Sequence, residues 1–162
     1  MDIYLIRHAE AVELGQEGAA TDFDRPLTAN GQAQAEKLAK ALPERGVKIE
    51  RLFVSPLVRS QQTAAPLIAA WGLSGDGVVE CSTLAPGGSS SKLARRIRKA
   101  AVPAIGLVGH RPDLNEFAAW LIGSKKALLA LDKGGVALVR VEEDELEKGA
   151  GELIWLLPHA MI

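Results

Sequence analysis

Short apolar runs alternate along this chain with stretches whose apolar residues recur every three to four positions. The first run, Ile3-Tyr4-Leu5-Ile6, stops abruptly at Arg7-His8. A run of this length reads as a strand buried on both faces, as in a parallel sheet covered by helices. Ala35, Leu38, Ala41 and Leu42 share one face of a helix predicted over Ala29 to Glu44, with Thr28 as N-cap and Gly46 as its stop. Arg51-Leu52-Phe53-Val54 predicts the second strand. It runs into Ser55-Pro56, read as N-cap and first residue of a helix that carries Leu67, Ile68 and Trp71 inward as far as Gly72. Gly77 to Cys81 predicts a third strand, at an edge. After a loop from Ser82 to Ser91, Lys92 to Ala101 predicts a helix with Leu93, Ile97 and Ala100 inward. Ala104 to His110 is a further strand, and it too ends in histidine. Pro112 starts a helix whose Leu114, Phe117, Ala118 and Leu121 keep the helical spacing. Val136 to Val141 and Glu152 to Leu157 predict two last strands, joined as a hairpin by the acidic turn Glu142-Glu143-Asp144-Glu145. This order predicts a three-layer α/β/α domain with a mostly parallel sheet and an antiparallel edge.

Two irregularities interrupt the pattern. Residues 9–26 have no periodicity and contain Gly15, Gly18 and Pro26, so they predict a long loop, a kind of segment that is often functional. Within it Arg25 is the only basic residue between Arg7 and Lys37. The second irregularity is Asn30-Gly31 in the first helical turn, where glycine costs about 1 kcal/mol. A close backbone approach there would account for it.

Composition narrows the class. With 162 residues and 48% hydrophobic content, the chain is expected to fold as one domain over residues 1–162. The net charge is -1, from 19 basic and 20 acidic residues, so no bulk field favours nucleic acid or an anionic membrane. No segment approaches the roughly 18 apolar residues of a spanning helix, and the opening run is too short for a signal core. The single cysteine, Cys81, forms no internal disulfide; a packing role and a reducing cytoplasm are expected. Arg95, Arg96, Arg98 and Lys99 read most simply as a solvated helix face, with a docking patch for an acidic protein as the alternative.

Chemistry enters at the strand ends. Taken alone, Arg7-His8 is an ordinary surface pair beyond a strand. Yet Arg59, one turn into the second helix, and His110 occupy the same class of position, and ligands bind at the carboxyl ends of strands in such sheets. Cations gathered at one face suit an anion with several oxygens, such as phosphate. Arginine offers a planar fork to such oxygens, and two histidines suit one nucleophile and one charge stabiliser or acid.

The sequence resembles the histidine phosphatase superfamily, which includes the phosphoglycerate mutases. Leu5-Ile6-Arg7-His8-Ala9 is similar to its Arg-His-Gly signature. Pro26 to Ala35, Ser55 to Ala64 and Val108-Gly109-His110 are similar to its later blocks, in family order. Within the superfamily the chain resembles the short SixA-type phosphohistidine phosphatases. Its length, Arg25-Pro26-Leu27-Thr28, Gly109-His110-Arg111-Pro112-Asp113 and Lys133-Gly134-Gly135-Val136 carry that likeness. Ala9 replaces the usual glycine, a minor departure. The other departure concerns the acid that the superfamily usually takes from the loop after the third strand. Here that loop, Ser82 to Ser91, has neither Asp nor Glu. Glu10, Glu13, Asp22 and Asp24 on the first loop are the carboxylates that could substitute.

The resemblance implies a phosphoglycerate mutase-like fold and a phosphatase that forms a phosphohistidine intermediate. His8 is then the nucleophile; Arg7, Arg59 and His110 hold the phosphoryl oxygens, and Arg25 holds substrate at the rim. Neighbouring cations would keep His8 neutral. No cofactor or metal is expected, because the histidines lack common zinc spacing and arginines supply the charge. His159 is expected to have no catalytic role. An alkoxide leaving group needs an acid, whereas imidazole, with a pKa of roughly 6.5, can take its proton near neutral pH. The acid-free loop therefore points to protein phosphohistidine as substrate. Alternatives are a phosphatase of small phosphorylated metabolites and a non-catalytic phosphate-binding module.

Overall fold

The computed structural model describes residues 1–124, 129–142 and 146–162. Six strands form one sheet: β1 (Asp2–Arg7), β2 (Arg51–Val54), β3 (Val78–Glu80), β4 (Ala104–Gly109), β5 (Val136–Val141) and β6 (Gly151–Leu157). Four helices accompany them: α1 (Ala29–Glu44), α2 (Val58–Trp71), α3 (Ser90–Arg98) and α4 (Asp113–Leu121). The strand order is β3-β2-β4-β1-β5-β6. The first four strands in that order run parallel, and β5 pairs antiparallel with both β1 and β6. The sheet is thus mostly parallel with an antiparallel edge, as the sequence predicts. Of the acidic turn before β6, Glu143, Asp144 and Glu145 lie outside the described residues.

Alternation along β1 explains the layers. Ile3 and Leu5 face a core with Phe53, Ile105, Leu107, Leu93 and Ile97 of α3, and Phe117 of α4. Tyr4 and Ile6 face the other core, with Leu38 and Leu42 of α1, Leu52, and Leu67 of α2. Because both faces are covered, the strand is apolar at successive positions rather than at alternate ones. Cys81 is free and buried in the first core, the packing role expected of it. Among the described residues no helix is long and apolar enough to cross a membrane.

Helix α1 has the predicted bounds, and Thr28 caps it by accepting from the Gly31 N–H at 3.0 Å. Two helix starts differ from expectation. Helix α3 begins at Ser90 rather than Lys92 and ends at Arg98, three residues before Ala101, whose φ is +49°. Serines weaken a helix interior but are tolerated in its first turn, so they masked this start. Helix α2 begins at Val58, with Leu57 at the cap position and no side-chain cap. Ser55 and Pro56 lie outside it, because the Ser55 hydroxyl is engaged elsewhere.

Candidate active site

The sheet register brings the two histidines together. Arg7 is paired with Gly109 across β1 and β4. One step further the His8 N–H donates to the Gly109 carbonyl at 3.0 Å. His8 and His110 therefore leave adjacent strands side by side, with ring centroids 5.0 Å apart and planes at 54°. On the other side of β4 the Ser55 N–H donates to the Val108 carbonyl at 2.9 Å. Ser55 thus stands at the end of β2 with its Oγ 2.8 Å from His110 Nε2, and Ser60 Oγ is 3.4 Å from the same nitrogen. A buried imidazole nitrogen needs a partner, and this need takes Ser55 away from helix capping.

Helix α2 carries Arg59 inward, where it is only 4% exposed. Its Nε–H donates to His8 Nε2 at 3.3 Å. One turn on, Thr63 Oγ1 donates to the Arg59 carbonyl at 2.7 Å and accepts the Ala9 N–H at 3.0 Å, tying the helix to the end of β1. Ala9 is fully buried against Ala11, Leu27 and Ala35. It is not among the non-glycine residues with positive φ, so alanine in place of glycine brings no backbone strain. Opposite, Arg7 Nη1 donates to the Leu131 carbonyl at 3.1 Å.

The hydrogen bonds settle the His8 tautomer. His8 Nδ1 lies 2.7 Å from the Ala9 carbonyl, which can only accept, so Nδ1 carries the proton and Nε2 keeps its lone pair. Burial pushes the His8 pKa down to about 3, against the bond to Ala9, with His110, Arg59 and Arg7 adding to the fall. The neutral form expected for His8 is thus held first by burial and only then by neighbouring cations. His110 falls to about 4, by burial and then Arg59, with Asp22 opposing and Arg7 adding a little. When the Ser55 hydroxyl donates to Nε2, His110 Nδ1 carries the ring proton and is free to donate it. Arg7 Nε and His110 Nδ1 are both buried without a protein partner. Donors of this kind at the end of a parallel sheet can bind anionic oxygens.

Four of the five residues singled out from sequence are therefore contiguous: Arg7, His8, Arg59 and His110. Arg25 reaches the cluster only through another residue. Its Nε donates to the Val12 carbonyl at 2.6 Å, its Nη1 to Asp22 Oδ1 at 2.8 Å, and its Nη2 is 3.8 Å from Glu13. Asp22 in turn accepts from Arg59, at the carbonyl from Nη1 (2.5 Å) and at Oδ2 from Nη2 (2.9 Å). Partial burial acts to raise the Asp22 pKa, but hydrogen bonds from Arg25 and Arg59 outweigh it and hold the carboxylate below its ordinary value. Glu10 is engaged with Thr28 and Asn30, and Asp24 with Thr21. The 82–91 loop is pinned from outside by Asp113, which accepts the Gly87 N–H at 2.9 Å. His159 Nδ1 is 3.3 Å from the carbonyl of Gly134, whose N–H faces the Arg7 and His8 carbonyls at 3.2 Å. Among the described residues no group of three or more His, Cys, Asp or Glu is placed to hold a metal ion. The sequence reading missed Ser55 as a partner of His110; its place directly after β2, level with His8 and His110, was the available signal.

The family model of the histidine phosphatase superfamily (branch 1) matches residues 3–81. An uncharacterised protein of Picosynechococcus sp. is 35% identical over 161 residues, covering 97% of this chain and 95% of that protein. The chain belongs to the histidine phosphatase superfamily. This histidine phosphatase is also 40% identical to phosphohistidine phosphatase SixA of Escherichia coli (strain K12) over 63 residues, 39% of the chain and 37% of SixA. A solved protein histidine phosphatase SixA complexed with tungstate superposes with a TM-score of 0.85 at 24% identity, covering 99% and 98% of the two chains. Mycobacterial glucosyl-3-phosphoglycerate phosphatase shares the fold at a TM-score of 0.72 and 19% identity, over 97% and 99%. The fold is therefore phosphoglycerate mutase-like, and the activity class is phosphatase.

Proposed function

We propose that this histidine phosphatase dephosphorylates protein phosphohistidine through a covalent phosphoenzyme on His8. The observation that carries the reading is the His8 Nε2 lone pair, aimed at the Arg59 guanidinium while Nδ1–H is locked onto the Ala9 carbonyl. Nε2 attacks phosphorus in line, while Arg7, Arg59 and His110 hold the equatorial oxygens, where charge gathers during transfer. The substrate ring takes a proton from solvent on its free nitrogen, the P–N bond breaks, and its electron pair returns to nitrogen so that neutral imidazole leaves. Water then hydrolyses the phosphoenzyme.

The leaving group follows from the acids. The 82–91 loop has no carboxylate, and Asp22 is held ionised by two arginines, so neither is a proton donor to an alkoxide. A phosphohistidine ring can instead take its proton from solvent near neutral pH, so it needs no carboxylic acid in the site. SixA, similar in part of its sequence, is named a phosphohistidine phosphatase. The second reading, hydrolysis of small phosphorylated metabolites, rests on the fold shared with the glucosyl-3-phosphoglycerate phosphatase. Arginines, rather than a metal, supply the positive charge in this mechanism, so dialysis against EDTA should leave kcat unchanged.

A substrate panel tests the reading. A phosphohistidine peptide and sugar phosphates are compared at equal concentration with wild type and His8→Ala. Preference for the peptide, with no turnover and no acid-labile phosphoenzyme in the variant, is expected. Preference for sugar phosphates would establish the second reading. Binding of phosphate without turnover of any substrate would reduce the protein to a phosphate-binding module.

A further inference from the structure

We propose that Asp22 is a catalytic residue of the second half-reaction: it orients and deprotonates the water that hydrolyses the His8 phosphoenzyme. The proposal rests on the phosphoenzyme reading above. One edge of the Arg59 guanidinium, Nε and Nη2, holds His8 Nε2 at 3.3 Å and Asp22 Oδ2 at 2.9 Å. The histidine nitrogen and the carboxylate oxygen thus meet the same fork that binds phosphoryl oxygens. The Asp22 charge also acts on His110, so the carboxylate lies within electrostatic reach of that histidine. Its other oxygen is tied to Arg25 Nη1 at 2.8 Å, and Arg25 is itself anchored to the Val12 carbonyl.

This arrangement gives Arg25 and Asp22 linked tasks. When a phosphoryl group on Nε2 takes the Arg59 edge, Asp22 keeps its bond to Arg25 and stays at the rim of the pocket. An ionised carboxylate there is suited to accept a proton and unsuited to donate one. In the first half-reaction nothing is asked of it, because imidazole leaves without help from an acid. In the second, the water oxygen forms its bond to phosphorus as the P–Nε2 bond breaks. The P–N electron pair returns to Nε2, and the water proton passes to Asp22 and then to solvent. Asp22 is 54% exposed at its side chain, so water reaches it directly. Residues 82–91 hold no acid, whereas Asp22, on the first loop, is a carboxylate in contact with the cationic cluster.

Rapid-quench kinetics with a labelled phosphohistidine peptide separate the two half-reactions. For Asp22→Asn, phosphoenzyme should form at the wild-type rate but decay about a hundredfold more slowly, the lower range for a positioned proton acceptor. In the steady state kcat and KM should fall together, with kcat/KM unchanged. Asp22→Glu should restore part of the decay rate, and a thermal melt of each variant establishes folding. Wild-type decay in the asparagine variant overturns the proposal. So does slower or faster formation with unchanged decay, which would make Asp22 a scaffold for Arg59 or an anion that competes with substrate. Absence of phosphoenzyme in wild type, with turnover retained by His8→Ala, overturns the parent reading instead and the proposal with it.

Discussion

One short contact orients the His110 imidazole: Ser55 Oγ at 2.8 Å from Nε2, backed by Ser60 at 3.4 Å. Ser55→Ala leaves that buried nitrogen with only the longer contact and removes the hydroxyl whose bond to Nε2 fixes the tautomer. A buried unsatisfied group costs about 1–3 kcal/mol of stability, so the melting temperature should fall, and kcat should fall because the ring that holds a phosphoryl oxygen is no longer fixed. Nitrogen chemical shifts of His110 should show a mixed tautomer, and an unchanged kcat with an unchanged tautomer would refute the role. In the residue order the one signal of this bond, the place of Ser55 directly after β2, is masked by a stronger one. Ser-Pro before a helix is the ordinary capping signal, and the partner lies 55 residues away. The residue types at His8, Arg59 and His110 were legible because each directly follows, or reaches back to, the end of an apolar run. Which nitrogen of each histidine faces the pocket needed the Ala9 carbonyl and the Ser55 hydroxyl in three dimensions.

At the scale of elements, the first loop is clamped to the start of α1. The Thr28 N–H donates to the Glu10 carbonyl at 3.0 Å, and the Glu10 carboxylate takes hydrogen bonds from the Thr28 hydroxyl and the Asn30 amide. A Cβ on Gly31 would sit 1.9 Å from the Glu10 carbonyl oxygen, which confirms the close approach expected from a glycine in a first helical turn. Gly31→Ala must push the Glu10 backbone away, two residues from His8. Overpacking of this kind costs about 1–3 kcal/mol. The melting temperature should fall, and kcat should fall with it because Ala9 and His8 precede the displaced segment. A variant with wild-type melting and turnover would show that the loop accommodates the methyl group. Helix α1, with its clear apolar face, was legible to the residue. The start of α3 was not, since Ser90 and Ser91 have the composition of a loop. The loop's internal order was equally hidden, because Arg25, Asp22 and Arg59 become neighbours only once α2 packs beside the end of β1.

For the molecule as a whole, sheet order decides which strand ends meet, and it also makes folding sensitive to acid. Periodicity predicts six strands but not the order β3-β2-β4-β1-β5-β6, in which β4 slots between β2 and β1. That crossover buries His8 and His110 together, at 7% and 2% exposure. Their pKa values fall from 6.5 to about 3 and about 4. An unfolded chain protonates both rings as pH drops through about 6.5, while the folded protein leaves them neutral until pH approaches 4 and then 3. Between those limits the unfolded state binds more protons, so stability is full above pH 6.5 and declines as pH falls. Each proton contributes a slope of about 1.4 kcal/mol per pH unit, so the pair should remove on the order of 3–4 kcal/mol between pH 7 and pH 5. The depressed Asp22 pKa acts in the same direction at lower pH, below its unfolded value of 3.8. Urea titrations at pH 7 and pH 5, in buffer free of phosphate, should show the midpoint moving to lower urea on acidification. His8→Asn and His110→Asn should each flatten the dependence by about half, since an amide has no proton to gain in that range. Equal midpoints at the two pH values would mean that water solvates the rings and that burial does not hold them neutral.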